Sequence, residues 1–296
     1  MSKIAIVVDS TADIPESMRE ELEIKIVPAY VIMENKSYRD GVDLTREKFG
    51  EILREIVNSQ KYSAIPKTSQ PTVEDFIKTY KEIAEREIDS IISIHPPAEL
   101  TGIYNSARLA KEALKEAFPQ LKIHLIDSSS VSFGTGILAL EAAKLAQKGT
   151  DIKEIERRIE GLKPRIFIYA LVDDLRFIKE GGRSEKVDGW KISLGSFLKI
   201  KVIIKLNQGK VGIQSISRTK KKGIEGLFKN FNDLYQQKGV ERAAIIHAVG
   251  EIEAEEFSQE IKDNYPHLEI PIIQTGPALT VHAGPSVVAF CVLTSA

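Results

Sequence analysis

Short apolar runs alternate with amphipathic segments along most of the chain. Continuous apolar or β-branched runs predict buried strands, whereas apolar residues that recur every three to four positions predict helices. Pro28 interrupts the second predicted strand, and Thr72 with Asp75 marks a helix start. The predicted strands of the first two-thirds are 3–8, 25–33, 88–94, 122–126 and 166–172. The predicted helices there are 45–59, 72–86, 101–118, 133–147, 152–162 and 173–180.

Strands that alternate with helices of this length are typical of βαβ units, and they predict a mainly parallel N-terminal sheet with flanking helices. The pattern restarts with a helix after Gly149-Thr150-Asp151. We therefore predict the α/β class with two domains, 1–160 and 161–296, of which the second is also α/β. The elements predicted in the second half are a strand at 215–217 after a turn at 207–209, a helix to about 237, then a strand, a helix and a strand through 273, and a last strand at 286–293.

Composition and charge exclude several classes of function. The 296 residues are 43% hydrophobic and 28% charged, and the net charge of −1 gives no electrostatic reason to expect nucleic acid or an acidic membrane as partner. Cys291 is the only cysteine, which excludes an internal disulfide and fits a reducing compartment. The first apolar run is too short for a signal peptide, and no apolar stretch approaches the roughly 20 residues of a membrane helix. We therefore expect a soluble cytoplasmic protein without integral membrane association.

Five clusters of hydroxyl residues and glycines follow the ends of predicted strands. In open α/β sheets, ligands bind beyond the carboxyl ends of the strands, where hydroxyls and backbone N–H groups suit an anionic head group. Helix capping is the commoner explanation of any single cluster, but it explains five in one chain less well. The clusters are Asp9-Ser10-Thr11-Ala12-Asp13, Lys67-Thr68-Ser69-Gln70-Pro71, Leu100-Thr101-Gly102-Ile103-Tyr104, Asp127-Ser128-Ser129-Ser130 and Thr280-Val281-His282-Ala283-Gly284-Pro285.

The sequence contains no recognisable catalytic, nucleotide or metal motif. Gly134-Thr135-Gly136 matches a loose dinucleotide fingerprint, but it does not follow its strand directly, and close packing inside a helix explains its glycines better. The serines lack a nucleophile elbow and the histidines lack ligand spacing. No catalytic residue, metal site or cofactor is therefore predicted. His282 stands out because it lies in a predicted turn beside Thr280, where its protonation can change near neutral pH.

Two cationic features complete the pattern. Gly181-Gly182-Arg183 follows a predicted helix and is typical of a helix C-cap. The run at 217–222 contains Arg218 and three lysines at a helix start, where cations oppose the helix dipole. We expect this run to meet an anionic partner.

Taken together, these segments resemble the DegV family of bacterial fatty-acid-binding proteins, the FakB-type subunits of fatty acid kinase. The resemblance covers essentially the whole chain. It rests on five motifs in the right order, at 9–13, 68–71, 100–107, 181–183 and 282–285.

The resemblance implies two α/β domains with an acyl chain buried in a cleft between them. It implies that Thr68 and His282 lie near the carboxylate of a long-chain fatty acid. It also implies that the protein presents this head group to a separate ATP-dependent kinase, which makes an acyl-phosphate. Arg218 matches the family position that engages the kinase, and we assign Arg183 and Lys221 to the same partner surface.

One segment departs from the family pattern. Family members carry a serine pair ahead of the Leu-Ser-Gly-Thr-Tyr segment, and the second serine donates to the carboxylate, whereas Pro97-Ala98 stands here. Proline has no N–H and alanine has no hydroxyl, so at least one side-chain donor is lost. Either the ligand differs or another donor replaces the serine, the candidates being Ser69, Thr101, Ser129 and His95.

Three functions remain open from the sequence. The ordered motifs favour a fatty-acid carrier that catalyses nothing alone. The hydroxyl-rich loops with His282 would also suit a small-molecule transferase or hydrolase. The third is that of a regulatory module: whether lipid is bound would control how the protein docks to a partner through the basic surface at 218–222.

Overall fold

The computed structural model describes residues 3–86, 88–182, 184–189 and 200–296. The strands are β1 Ile4–Asp9, β2 Lys25–Val27, β3 Tyr30–Met33, β4 Lys36–Arg39, β5 Lys67–Ser69, β6 Ser90–His95, β7 Lys122–Asp127, β8 Ile166–Val172, β9 Lys201–Asn207, β10 Lys210–Ser217, β11 Val240–His247, β12 Ile272–Gln274 and β13 Val288–Thr294. The α-helices are α1 Glu16–Glu21, α2 Arg46–Asn58, α3 Val73–Ala84, α4 Ile103–Leu114, α5 Phe133–Gln147, α6 Ile152–Leu162, α7 Leu175–Glu180, α8 Lys220–Lys238, α9 Glu251–Asn264 and α10 Pro277–Ala283.

The N-terminal half is built on a four-stranded sheet in the order β2-β1-β6-β7, with every pair parallel. Its strands are continuous apolar runs because both faces are covered by helices. In β1, Ile6 and Val8 pack towards α5, whereas Val7 packs towards α3 and α4. The predicted parallel sheet with flanking helices is confirmed.

The C-terminal half contains a six-stranded sheet in the order β10-β9-β8-β13-β11-β12. All its pairs are antiparallel except β11 with β12. The two faces carry side chains of different size. Phe167, Tyr169 and Phe290 pack in one cluster with Phe231 of α8 and Phe257 of α9, while the other face carries smaller aliphatic side chains.

Helix α5 lies between the two sheets. Ten of its fifteen residues are buried, and it contacts β1 and β6 on one side and β8 and β13 on the other. Its first two turns, 133–140, are apolar or small on every side, and all eight residues are buried, as expected for a segment that is covered all round. Gly134 and Gly136 lie inside it, as predicted: a Cβ on Gly136 would be 2.7 Å from the Ala12 carbonyl oxygen. These glycines therefore serve close packing.

A third, antiparallel sheet has the order β4-β3-β5 and shares a core with α2 and α10. Pro28 separates β2 from β3, so the two halves of the interrupted strand enter different sheets, which agrees with the predicted break. All strands of the four-stranded sheet precede residue 128, and all strands of the six-stranded sheet follow residue 165. The boundary at 160/161 falls in the last turn of α6, and the domain assignment stays a prediction.

One predicted turn is wrong. The segment containing Thr280 and His282 belongs to helix α10, which begins with Pro277 at its first position and ends before Gly284, where φ is +83°. Seven residues are too few to show a helical period, and the flanking glycines and prolines suggested a loop instead. Among the described residues, no helix has both the length and the apolar character needed to cross a membrane.

Candidate functional site

A cavity of about 560 Å³ lies between the six-stranded sheet and the loops that follow the strands of the N-terminal half. The sheet side is apolar and comes from β8, β9, β10, β11 and β13. The opposite side comes from β5, from the residues after β1, β6, β7 and β12, and from α10, and it contains most of the polar lining. The apolar side includes Ile168, Ala170, Val172, Ile204, Leu206, Val211, Ile246 and Ala289.

The cavity exists because two small residues lie side by side in the sheet. Ala170 of β8 pairs with Ala289 of β13, and the row continues to Ile204 of β9 and Ile246 of β11. All four side chains line the cavity. Close-packed interiors leave few voids, so a cavity of this size above an alanine pair indicates space kept for a ligand.

Thr68 and His282, which the family resemblance associates with the ligand carboxylate, meet on the polar side of the cavity. The Thr68 Oγ1 lies 2.8 Å from the His282 Nε2, although the residues are 214 positions apart. β5 carries Thr68, which pairs with Val31, and the last turn of α10 carries His282. Gly181 makes room for the imidazole, because a Cβ there would lie 2.6 Å from the His282 Nδ1.

A buried carboxylate lies behind the same wall. Asp13 accepts hydrogen bonds from the Ser132 hydroxyl at 2.5 Å, the Thr275 hydroxyl at 2.7 Å and the Gly276 N–H at 2.9 Å. Burial raises the pKa of Asp13 above its usual value, while the three donors act in the opposite direction. Ser132 and Thr275 line the cavity, so Asp13 fixes two of its hydroxyls.

A comparison with known proteins assigns the chain to a family. The family model described as an uncharacterised protein of the DegV family matches residues 3–295. The chain belongs to the DegV family. It is 30% identical over 289 residues to Protein DegV of Bacillus subtilis (strain 168), covering 97% of this chain and 98% of that protein.

Solved structures of relatives share the DegV fold. A DegV family protein from Thermus thermophilus, described as binding fatty acid, has a TM-score of 0.85 at 28% identity, covering 99% of each chain. A stearic-acid-binding protein from Eubacterium ventriosum ATCC 27560 has a TM-score of 0.86 at 25% identity, covering 99% of this chain and 98% of that one. The resemblance stated from the sequence motifs and the predicted α/β fold are confirmed.

Two of the four candidate replacement donors line the cavity of this DegV chain, namely Ser69 and Thr101. In the segment where the resemblance implied a serine pair, Pro96, Ala98 and Glu99 line the cavity. The Ala98 N–H donates to Asp127 Oδ2 at 3.2 Å. Replacement donors must therefore come from neighbouring segments.

His95 requires a correction. It is fully buried, its Nδ1 lies 2.9 Å from Asp9 Oδ2, and its Nε2 lies 2.7 Å from Ser93 Oγ. Both ring nitrogens are thus engaged, so neither can donate to a ligand. Ser93 in turn contacts the Tyr80 hydroxyl at 2.8 Å and is itself fully buried, which keeps this Ser-His-Asp arrangement away from any substrate.

Ser129 also requires a correction. It does not belong to the described residues that line the cavity. Its φ is +52°, its N–H donates to Asp127 Oδ1 at 2.7 Å, and its carbonyl accepts the Gly209 N–H at 2.7 Å. Its backbone forms the turn that follows β7.

The sequence did not single out several polar residues of the lining. Thr11, Ser132 and Thr275 each donate their hydroxyl hydrogen to a buried carboxylate, Thr11 to Asp9 at 2.5 Å and the other two to Asp13. Gln70 also lines the cavity. Thr11 and Gln70 belong to the 9–13 and 67–71 clusters, so the clusters pointed to their segments without identifying them as lining residues. Nothing in the sequence links Thr275 to Asp13 across 262 positions.

The predicted partner surface is exposed at Arg218 and Lys221. Helix α8 begins at Lys220 behind the N-cap Thr219, so the cations do lie at a helix N-terminus. Lys220 is paired with Glu253 of α9. Arg183 lies outside the described residues.

Asp40 holds the N-terminal end of α10 beside Asp13. Its carboxylate accepts the Ser10 hydroxyl at 2.8 Å and a backbone hydrogen bond from Ala278. Burial, with the neighbouring charge of Asp13, raises the pKa of Asp40 to about 7. Between its ordinary pKa and this value, the folded chain holds a proton that the unfolded chain has released.

We predict that this group makes folding less favourable as the pH rises. The free energy of unfolding of the wild type minus that of Asp40→Asn should fall between about pH 4 and pH 7, by at most about 1.4 kcal/mol per pH unit. Urea unfolding at a series of pH values measures this difference. The matched control is Asp43→Asn, because Arg39 lowers the pKa of Asp43 to about 2, so its difference should stay flat above pH 5. A flat difference for Asp40→Asn would contradict the buried, proton-holding carboxylate.

Proposed function

We propose that this chain binds one long-chain fatty acid, with the acyl chain in the cavity and the carboxylate at Thr68 and His282. The observation that carries the proposal is the division of the cavity lining. The β-sheet provides an apolar surface, and hydroxyls and an imidazole converge on the other side. Fatty-acid binding by the relatives from Thermus thermophilus and Eubacterium ventriosum supports it.

The acyl chain provides most of the binding energy. Burying a methylene is worth about 0.8 kcal/mol, so a sixteen-carbon tail contributes on the order of 12 kcal/mol as an upper limit. A hydrogen bond to a charged group adds roughly 1.5–3 kcal/mol. The loss of the family serine at Pro97-Ala98 therefore weakens the head-group contacts without removing the main driving force.

The donors for the carboxylate follow from the hydrogen bonds already made. Thr11, Ser132 and Thr275 have given their hydroxyl hydrogens to Asp9 and Asp13, so they offer only lone pairs to the cavity. Donation to an anion falls to Thr68 with His282, and to the neighbouring residues. These neighbours are Ser69, Gln70 and Thr101, and the lining also contains the cation Lys186.

The acyl-chain assignment predicts that filling the alanine pair blocks binding. Ala170→Phe should lower the affinity for palmitate at least tenfold, because the added ring occupies the space above Ala289. A phenylalanine at a buried alanine outside the cavity, such as Ala110 of α4, would only disturb the fold. The control is therefore Ala113→Phe, at an exposed position of α4, which should leave the affinity for palmitate unchanged. Calorimetric titration measures both. Unchanged affinity in a folded Ala170→Phe variant would place the acyl chain elsewhere.

A second candidate function is hydrolysis, which the 2.8 Å contact between the Thr68 hydroxyl and the His282 imidazole favours, because it resembles a nucleophile–base pair. We propose that the pair holds the head group and that the chain catalyses nothing alone.

Thr68→Val should then weaken palmitate binding by about tenfold, because one hydrogen bond to a charged group is lost. Thr79→Val, which removes a half-buried hydroxyl on α3 outside the cavity lining, should not.

The same two variants separate the functions. Neither they nor the wild type should turn over a chromogenic acyl ester. Ester turnover by the wild type that disappears in Thr68→Val would establish hydrolysis instead.

We further propose that the bound carboxylate is presented to a partner, an ATP-dependent fatty acid kinase subunit in the cytoplasm, for acyl-phosphate formation. The exposed cations Arg218 and Lys221, with Arg183, form the contact surface. The position of Arg218 and Lys221 at the N-terminus of α8 supports this role, since cations there are unfavourable unless an anionic partner offsets them.

Charge reversal tests the partner surface. Arg218→Glu should abolish acyl-phosphate formation with a purified kinase subunit and leave the bound lipid unchanged, because Arg218 is absent from the cavity lining. The matched control is Lys229→Glu, an exposed reversal farther along α8, which should retain activity. Equal loss in both variants, or loss of lipid in Arg218→Glu, would contradict the assignment.

A further inference from the structure

A second groove, of about 540 Å³, runs along β7 and shares no residue with the acyl cavity. Within the described part of the chain, β7 pairs only with β6 and is the edge strand of its sheet. The groove is bounded by the end of α4, the loop at 118–121 and Glu156 of α6. An unpaired edge lying in a groove is a place where an extended chain can add as a further strand.

The register shows which backbone groups of β7 face outward. The Lys122 N–H donates to the Asp89 carbonyl at 2.9 Å, and the Ser128 N–H donates to the His95 carbonyl at 2.8 Å, so the even-numbered residues bond to β6. Successive residues of a strand direct their N–H and C=O groups to opposite sides. Ile123 and Leu125 therefore point theirs away from the sheet, into the groove.

The side chains of the groove are apolar in the middle and cationic at the rim. Leu114, Phe118 and Leu125 are among its apolar residues. The acid of the lining, Glu156, is already bonded to the His124 Nδ1 at 2.8 Å.

Three lysines, Lys111, Lys115 and Lys122, belong to the same lining. Lys115 contacts Glu112 at 3.2 Å, but both side chains are well exposed, and such a pair contributes little. The rim is therefore positively charged.

Lysines beside an exposed edge discourage pairing with another neutral or basic strand, including a second copy of the same edge. Pairing with an acidic strand is favoured instead, because its carboxylates neutralise the lysines of the rim while its backbone pairs with the edge. We propose that the groove along β7 binds an extended acidic segment of a partner protein, which pairs with Ile123 and Leu125 as an added strand. This site is independent of what the acyl cavity holds.

The test uses the full chain as purified and a fluorescent, end-blocked peptide of alternating glutamate and valine. We expect saturable binding by fluorescence anisotropy at low salt. The same peptide with lysine in place of glutamate should bind at least tenfold more weakly. The acidic peptide with N-methylated valines should also lose at least tenfold, because it keeps the charge and loses backbone donors.

Paired charge reversals locate the peptide. Lys111→Glu with Lys115→Glu should weaken binding at least tenfold. Lys78→Glu with Lys81→Glu, which changes the net charge equally on exposed positions of α3, should weaken it less than threefold.

Hydrogen exchange gives the sharpest readout. Bound peptide should slow exchange of the Ile123 and Leu125 amides and leave the His124 and Ile126 amides unchanged, because the latter already bond to β6. Binding without this alternation would mean attraction to surface charge only, and would overturn the proposal. The proposal would also be overturned if the basic peptide bound equally well or if no peptide bound. It would be overturned as well if the Ile123 and Leu125 amides were protected without peptide, in protein that self-associates.

Discussion

The buried carboxylate of Asp13 is the interaction on which the site depends. A charge removed from water is tolerated only when its oxygens are fully paired, and Asp13 obtains its donors from Ser132 and from Thr275 and Gly276. These residues belong to segments that follow β7 and β12, far apart in the chain. The requirement to pair one carboxylate therefore joins the loops of the parallel sheet to the start of α10. Helix α10 in turn brings His282 to Thr68.

The six-stranded sheet supplies the complementary half of the site through a difference between its faces. Aromatic side chains fill the face under α8 and α9, and the opposite face has Ala170 beside Ala289. The same strands thus stabilise the fold on one side and leave space on the other. Under the proposed function, the apolar area of the sheet would retain the acyl chain, and the hydroxyls and imidazole would set its direction.

The elements best predicted from the sequence were those in which one hydrophobic pattern, helical or strand-like, continues over many residues. Helices α5 and α6 and strand β8 have the predicted bounds, 133–147, 152–162 and 166–172. Helix α10 was missed because seven residues carry no visible period. His95 was misassigned because its position after a strand resembled a ligand site, whereas its burial and its contacts with Asp9 and Ser93 are properties of the folded chain. The Thr68–His282 pair was found only through family resemblance, since 214 residues separate its members.

The central claim is that the cavity holds an acyl chain, and native mass spectrometry of the protein purified from a bacterial host tests it most directly. The intact mass should exceed the 33.0 kDa of the chain by that of one fatty acid, and solvent extraction should release that acid. Protein that carries no added mass, and still takes up no fatty acid when one is supplied, would contradict the account. The likeness to fatty-acid-binding relatives would then extend to the fold and not to the ligand.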